Sequence, residues 1–235
     1  MLYIKNILLL PAKNRKYNME DTFKLQGKRK QLVDDLKKKG ITDTAVLDAL
    51  QKVPRHFFIA KGLEEKAYED VALPIASEQT ISQPYTVAFQ SQLLEVKSNL
   101  KILEIGTGSG YQAAILSTMG ANVYSIERHE ALYKSTSVLL RKKGYRVNLF
   151  YGDGYKGLPT YGPFDRILIT AAAPIIPDDL KTQLKTGGIL IVPLGEGGRQ
   201  VMTKLVKNKD DSFSVTEHDS FAFVPMLKGK VSDNV

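Results

Sequence analysis

The 235-residue sequence contains no cysteine and no tryptophan, and it has only three histidines. Without cysteine the chain can form neither a disulfide framework nor a thiolate metal site, which fits a reducing compartment, and we expect a cytoplasmic protein. No run approaches the roughly eighteen continuous apolar residues that a membrane-spanning helix needs, so we expect no membrane partner. At 43% hydrophobic residues, the chain can bury the core of one full domain.

The net charge of +8 is partly concentrated at the start of the chain. Residues 1–18 contain no acid but four basic residues, Lys5, Lys13, Arg15 and Lys16, so the rest of the chain carries 29 basic against 25 acidic groups, or +4. The remaining basic runs lie on predicted helices without interleaved aromatic residues, which is typical of solvated helix faces. We therefore expect no nucleic-acid partner.

Residues 1–18 differ in character from the rest of the chain. Their apolar core, residues 7–10, is too short for a signal peptide and is followed closely by basic residues. A well-patterned helical segment begins after Met19. We expect residues 1–18 to be a disordered leader or a misassigned start, and residues 19–235 to form a single domain.

The first part of that domain, residues 19–98, is predicted to be helical where it is regular. Helices are predicted over residues 21–39, 43–52 and 85–96. Thr42 or Asp43 can cap the second helix, and Pro84 suits the first turn of the third. An irregular stretch is predicted between these two helices, ending at about Ser82.

The second part, residues 99–235, alternates strands with helices. Strands are predicted over residues 101–105, 121–127, 146–151, 164–170 and 188–193, and helices over residues 112–118, 130–143 and 177–184. This alternation is typical of parallel strands with right-handed crossovers. Two further strands, 200–206 and 212–223, flank a polar turn and predict an antiparallel hairpin. The predicted fold class is therefore α/β: a doubly wound, Rossmann-like sheet, mostly parallel, with a C-terminal antiparallel hairpin and an N-terminal helical segment.

Residues 101–111, Lys-Ile-Leu-Glu-Ile-Gly-Thr-Gly-Ser-Gly-Tyr, are a strand running into a turn with glycine at every second position. Such glycines let the backbone turn tightly and bring a ligand against the main chain, and the next helix offers free N–H groups. The last glycine of a dinucleotide fingerprint would fall on Tyr111, so the spacing differs from that motif. It resembles instead the first motif of the class I S-adenosylmethionine-dependent methyltransferases, whose turn faces the amino-acid part of the cofactor.

Two more acidic residues come after later strands. Glu127 ends the second core strand, where doubly wound folds place an acid that accepts hydrogen bonds from a ribose, although it could instead cap the next helix. Asp153, between two glycines after the third strand, lies where an adenine amino group would sit, although Gly-Asp-Gly is also an ordinary turn. The predicted residues for binding S-adenosyl-L-methionine are Glu104, Gly106, Thr107, Gly108, Ser109, Gly110, Glu127, Asp153 and Gly154.

Motifs spread over about residues 20–228 resemble one family, the protein-L-isoaspartate (D-aspartate) O-methyltransferases. They are Gln79-Thr80-Ile81-Ser82-Gln83-Pro84-Tyr85, the stretch Leu103 to Gln112, Gly152-Asp153-Gly154, Pro163-Phe164-Asp165 with Thr170-Ala171-Ala172, and Gly187-Gly188 with Pro193-Leu194-Gly195. Val53-Pro54-Arg55 and Phe223-Val224-Pro225 resemble the family's outer motifs. The resemblance implies methyl transfer from S-adenosylmethionine to the free α-carboxylate of an L-isoaspartyl residue, whose methyl ester re-forms a succinimide and so begins repair of an aged protein.

The implied reaction agrees with what the sequence lacks. An α-carboxyl group has a pKa of about 3.5 and is already ionised at neutral pH. The sulfonium methyl group is activated, so no strong base, metal or covalent nucleophile is needed, and the three histidines form no recognisable ligand set. The protein must align the reacting atoms and hold the carboxylate with neutral hydrogen-bond donors.

Ser82 is the predicted catalytic residue. It matches the family's functional serine, and a hydroxyl can hold a carboxylate without a competing charge. From the residues alone, Ser82 could equally be the N-cap of the helix at Pro84. Motif position further predicts substrate contacts from Thr80, Ile81, Gln83, Thr170 and Ala171.

Ala222 departs from the family, which commonly has a basic residue there, so we expect different contacts with the peptide at this position. Two other functions remain open: a class I methyltransferase for RNA or a small molecule, and a non-catalytic S-adenosylmethionine-binding module. Residues 170–174, Thr-Ala-Ala-Ala-Pro, differ from the Asn/Asp-Pro-Pro-Tyr/Phe motif of amino-group methylation, which argues against base methylation. We expect a monomer that acts on isoaspartyl-containing proteins and peptides.

Overall fold

A computed structural model describes residues 20–232. The expected leader, residues 1–18, lies outside the described residues. Within residues 20–232, no helix has both the length and the apolar character needed to cross a membrane.

The order of elements agrees with the predicted alternation. The helices are α1 (Phe23–Lys38), α2 (Thr44–Lys52), α3 (Pro84–Leu93), α4 (Tyr111–Thr118), α5 (Glu130–Lys142) and α6 (Asp178–Thr182). The strands are β1 (Leu73–Pro74), β2 (Thr80–Ile81), β3 (Lys101–Ile105), β4 (Asn122–Glu127), β5 (Val147–Tyr151), β6 (Phe164–Ile169), β7 (Leu184–Leu194), β8 (Gln200–Lys207) and β9 (Phe213–Phe221).

One sheet organises the fold, with the strand order β5-β4-β3-β6-β7-β8-β9. The strands from β5 to β7 are parallel, and β8 and β9 are added antiparallel at one edge. The α/β class and the C-terminal hairpin are thus confirmed. The central strands are covered on both faces, and Ile102, Leu103 and Ile167 are fully buried. Because parallel strands end at the same edge, the loops after β3, β4 and β6 meet there.

The N-terminal helices pack against α4. Leu36, Ile41 and Val46, from α1, α2 and their connection, are completely buried in a cluster that also contains Tyr111 and Ile115 of α4. This packing places residues 53–83, which connect α2 to α3, beside the loop that precedes α4. The acceptor motif predicted around Ser82 is therefore brought against the glycine turn.

The connection between α2 and α3 is more regular than predicted. It contains two short 3-10 turns, Arg55–Phe58 and Glu64–Lys66, and the two-residue strands β1 and β2, which pair antiparallel. Strands of two residues leave no periodic pattern in a sequence, because one alternation of buried and exposed residues is indistinguishable from chance.

The predicted bounds of α3, α6 and β7 were wrong by several residues, and those of α1 and β9 by up to two. Helix α3 ends at Leu93, not at residue 96, because Glu95 has a φ of +50° and cannot continue a helix. Helix α6 spans Asp178–Thr182, shorter than the predicted 177–184, and β7 begins earlier than residue 188. The reason is that Leu184 pairs with Phe164 of β6. Residues 184–187, which the pattern assigned to the helix and the following loop, therefore belong to β7.

Asp43, one of the two predicted caps, begins α2. Its Oδ1 accepts hydrogen bonds from the N–H groups of Ala45 (2.8 Å) and Val46 (3.2 Å). Asp43→Ala leaves these donors without the cap, and we expect the free energy of unfolding to fall by about 1 kcal/mol in urea titrations. Asp48→Ala, at an exposed position of the same helix, should change it by less than about 0.5 kcal/mol. Equal effects of the two substitutions would contradict the capping role.

Candidate functional site

A cavity opens at the edge of the sheet where β3, β4 and β6 end. It is bounded by the loop after β3, the end of β4, the segment before α3 and residues 224–227. The predicted residues that line it are Thr80, Ile81, Ser82, Gly106, Thr107, Gly108, Ser109, Glu127, Gly154, Thr170 and Ala171. Residues predicted from widely separated motifs are thus brought into one space.

The glycine turn is held against β6 by Thr170. The Thr170 hydroxyl lies 2.9 Å from the carbonyl oxygen of Ile105 and 2.7 Å from that of Gly106, and it donates to this pair. Gly106 has a φ of +95°, and a Cβ there would lie 2.6 Å from Thr170 Oγ1. Glycine is therefore required at position 106 both by the backbone conformation and by the close approach of Thr170.

Glu127 joins the same turn to the end of β4. Its Oε2 accepts a hydrogen bond from the N–H of Gly108 and its Oε1 from the N–H of His129, each at 2.8 Å. The side chain is buried but lines the cavity. Each carboxylate oxygen has two lone pairs, so each retains one for a ligand hydroxyl. Glu127 therefore keeps acceptor capacity towards the cavity, and its role as a ribose ligand stays a prediction.

Glu104 lies beneath the glycine turn and does not line the cavity. It is fully buried, and its Oε2 accepts a hydrogen bond from the Ser125 hydroxyl, which lies 2.6 Å from Thr107 Oγ1. Oε1 has no hydrogen-bond partner among residues 20–232. Burial raises the pKa of Glu104 to about 8, and the nearby Glu127 adds to the rise. Glu104 therefore supports the turn from below through Ser125 and Thr107.

Three other predicted residues also lie outside the lining of this cavity. Gly110 has a φ of +85° at the start of α4, and a Cβ there would meet Thr136 at 2.7 Å. Asp153 accepts a hydrogen bond from the N–H of Tyr155 (3.0 Å), as in an ordinary turn, while the neighbouring Gly154 reaches the cavity. Gln83 lines an adjoining second cavity.

The Ser82 hydroxyl makes no hydrogen bond to any part of the chain that the structure describes. Helix α3 begins at Pro84 with Gln83 at its N-cap and without a side-chain capping bond. The structure therefore gives no support to Ser82 as a helix cap. Its hydroxyl is available at the wall of the cavity.

Arg55 fixes the backbone that carries Ser82, and the sequence placed it only in an outer motif. The residue is fully buried. Its Nη1 donates to the carbonyl of Ala67 (2.7 Å), and its Nη2 donates to those of Val71 and Ser82 (3.1 Å each). In the sequence, Arg55 is recognisable only as a charged residue in an apolar stretch. Such a pattern does not show which carbonyl groups the side chain binds.

The second cavity adjoins the first and shares Thr80, Ser82, Thr170 and Val224 with it. Ala222 lies in its wall, so the position at which the sequence departs from the family pattern lines the same cavity as Ser82. Within residues 20–232, no cluster of three or more potential metal ligands occurs.

The first cavity fits S-adenosylmethionine. Glu127 offers acceptors for ribose hydroxyls, and the turn at Gly106 and Gly108 exposes bare main chain. Ile126 and Met226 add apolar surface on which a flat ring can lie. A Cβ at Gly154 would lie 2.5 Å from Ile105, so glycine is also required at this position in the wall of the cavity.

Comparisons with known proteins agree with this geometry. A family model described as protein-L-isoaspartate (D-aspartate) O-methyltransferase matches residues 27–231, a range that contains the whole cavity. A protein-L-isoaspartate O-methyltransferase of Christiangramia forsetii is 54% identical over 213 residues, which cover 90% of this chain and 100% of that protein.

Two solved structures share the fold. A protein-L-isoaspartate O-methyltransferase superposes with a TM-score of 0.76 at 30% identity, over 84% of this chain and 65% of that chain. A Plasmodium falciparum protein, solved in complex with S-adenosyl-L-homocysteine, gives a TM-score of 0.74 at 24% identity, over 86% of this chain and 99% of that chain.

The raised pKa of Glu104 predicts a pH-dependent cost to stability. Between pH 4.5 and about 8 the unfolded chain has an ionised Glu104 while the folded chain keeps the proton, so its contribution to stability falls as the pH rises through this window. Glu104→Gln cannot ionise. We expect its free energy of unfolding, relative to wild type, to rise by up to about 1.4 kcal/mol per pH unit in urea titrations between pH 5 and pH 8.

Glu217→Gln, at an exposed position on β9, is the control and should show no such trend. A difference between Glu104→Gln and wild type that stays constant from pH 5 to pH 8 would contradict the buried neutral carboxyl.

Proposed function

The chain belongs to the protein-L-isoaspartate (D-aspartate) O-methyltransferase family, and we propose that its cavity carries out the reaction with Ser82 facing the glycine turn. The enzyme transfers a methyl group from S-adenosyl-L-methionine to the α-carboxylate of L-isoaspartyl residues in damaged proteins and peptides. The methyl ester then re-forms a succinimide, which begins repair. The observation that carries the proposal is the free hydroxyl of Ser82 in the same cavity as Glu127 and the turn.

On the donor side, each proposed contact depends on an accessible group. Glu127 accepts hydrogen bonds from the ribose hydroxyls through the lone pairs that Gly108 and His129 leave free. The main chain from Gly106 to Ser109 lies along the amino-acid part, and Gly154, which lines the cavity beside Asp153, faces the adenine. When bound, the cofactor supplies an activated methyl group on a sulfonium.

On the acceptor side, Ser82 holds the substrate carboxylate by donating its hydroxyl proton. A neutral donor suits this task because a nearby cation would lower the nucleophilicity of the carboxylate that must attack. Thr80, Ile81 and Ala171 complete the wall. Gln83 contacts the peptide from the second cavity.

Thr170 has a narrower role than Ser82. Its hydroxyl proton is already directed at the carbonyls of Ile105 and Gly106, so towards the substrate its oxygen can act only as an acceptor. We therefore assign Thr170 to a peptide N–H and not to the carboxylate.

The chemistry needs alignment more than acid–base catalysis. The α-carboxylate is ionised at neutral pH, and the cavity holds donor and acceptor in one enclosed space, where orientation contributes several kcal/mol to the rate. His56 is fully buried against Tyr68, with its Nδ1 2.7 Å from the Tyr68 hydroxyl, and it does not line the cavity. No histidine is needed as a general base.

We further propose a monomer that works in the cytoplasm without nucleic-acid or membrane partners. The support is the cysteine-free composition and the small excess of positive charge outside residues 1–18.

Methyl transfer to a synthetic isoaspartyl peptide, measured beside its normal aspartyl counterpart with labelled cofactor, tests the reaction. We expect base-labile label on the isoaspartyl peptide alone, because only it presents a free α-carboxylate at the altered residue. Equal labelling of both peptides, or of neither, would refute the assignment. Calorimetric binding of S-adenosylhomocysteine without any transfer would favour the non-catalytic binding module.

Ser82→Ala tests the mechanism. We expect kcat with the isoaspartyl peptide to fall about tenfold or more, because the charged carboxylate loses the hydrogen bond that the Ser82 hydroxyl donates to it. The Kd for S-adenosylhomocysteine and the melting temperature should stay nearly unchanged, because the hydroxyl bonds to nothing else in the described chain. Ser98→Ala, at an exposed position between α3 and β3, is the matched control. Unaltered kcat in Ser82→Ala would remove Ser82 from the mechanism.

A further inference from the structure

Gln90 is a buried polar residue of α3 that no predicted motif role includes. Its side chain is only 1% exposed, yet it lines the first cavity beside Val87. A long amide side chain is seldom this deeply buried unless its polar atoms have partners. The partners of Gln90 therefore indicate what the residue does.

Only one end of the Gln90 amide is satisfied by the protein. The Nε2 atom donates to the carbonyl of Ile169, at the end of β6, at 3.2 Å, and lies 3.7 Å from the sulfur of Met202. The Oε1 atom has no hydrogen-bond partner among residues 20–232. Unlike Oε1 of Gln112, which is buried and also has no partner, the Oε1 atom of Gln90 is accessible to solvent. The accessible space that Gln90 borders is the cavity, so its Oε1 is a free acceptor there.

The place of Gln90 along the sheet limits which ligand group it can meet. Glu127, the proposed ribose ligand, ends β4, whereas Gln90 is bonded to the end of β6, and β3 with its glycine turn lies between them. Neighbouring strands are about 4.8 Å apart, so the two positions are separated by roughly 10 Å along the sheet edge. A cofactor whose ribose lies at Glu127 and whose chain runs along the turn brings the amino-acid end towards Gln90.

We propose that Gln90 Oε1 accepts a hydrogen bond from the α-ammonium group of S-adenosylmethionine, an inference that rests on the proposed function. The α-ammonium is the hydrogen-bond donor of the amino-acid part, and an amide oxygen is a good acceptor for it. The bond from Nε2 to the carbonyl of Ile169 fixes the amide, so Oε1 is held in place before the cofactor binds. A carboxylate of the ligand would instead be repelled by this oxygen.

Gln90→Leu and Gln90→Met remove the acceptor while keeping an apolar side chain of similar size. Both variants also lose the hydrogen bond to Ile169, which could weaken binding of any ligand. Binding is therefore compared for one ligand with the α-ammonium group and one without it. S-adenosylhomocysteine carries the α-ammonium, and 5′-methylthioadenosine has the same nucleoside part but no amino-acid part. By titration calorimetry we expect the Kd for S-adenosylhomocysteine to rise about tenfold or more in both variants, and the Kd for methylthioadenosine to change less than about twofold.

Gln92→Leu is the matched control on the same helix. The Gln92 Oε1 accepts from the N–H groups of Thr42 and Asp43, at 2.8 and 2.9 Å, away from the cavity. This variant should lower the melting temperature without changing either Kd, and it separates loss of stability from loss of the ammonium contact.

The outcomes are distinct. Equal weakening of both ligands would make Gln90 a structural support for β6 and overturn the proposal, as would unchanged binding of both. A raised KM for the isoaspartyl peptide with an unchanged Kd for S-adenosylhomocysteine would place Gln90 on the acceptor side and also overturn it. Wild-type protein that fails to bind S-adenosylhomocysteine would refute the proposed function together with this inference, whereas failure of the Gln90 variants alone leaves that function intact.

Discussion

The contact between the Thr170 hydroxyl and the carbonyls of Ile105 and Gly106 holds the site together. It ties the turn after β3 to the end of β6, while Glu127 ties the same turn to the end of β4. These bonds fix the turn from both sides before any ligand arrives. Because Gly106 has no side chain, the two strands can approach closely enough for the threonine bond to form. This close approach gives the turn a fixed position at the wall of the cavity.

The site also concentrates polar groups that a core normally excludes. Glu104, Arg55 and Gln90 are all buried, and each is held by hydrogen bonds to the main chain or to Ser125. Burial disfavours the charged forms, which raises the pKa of Glu104 and lowers that of Arg55. The burial of these polar groups therefore lowers the free energy of unfolding, while their hydrogen bonds hold the backbone of the site in one position.

The features of the fold that depend on a local residue pattern could be predicted from the sequence. The alternation of strands and helices indicated the α/β class, and the glycine spacing located the turn that lines the cavity. The β1–β2 hairpin was not predicted, because each strand has only two residues and forms through the pairing of Leu73 with Ile81 and of Pro74 with Thr80. The roles of Arg55 and Gln90 were not predicted, because their partners are backbone carbonyls that only folding brings near. Glu104 was correctly placed beside the turn, but a sequence pattern cannot tell the lining of a cavity from its support beneath.

The hydrogen bond from Arg55 to the Ser82 carbonyl has a consequence for how sequence variation can affect the site. Glu127 and the glycine turn lie at the ends of strands of the sheet, whereas Ser82 belongs to a segment that Arg55 holds to Ala67 and Val71, which precede the sheet in the chain. The Ser82 segment and the strand ends are therefore held in place by different contacts. Substitutions that alter the contacts of Arg55 can therefore move the Ser82 backbone while the bonds of Glu127 and Thr170 to the glycine turn are kept.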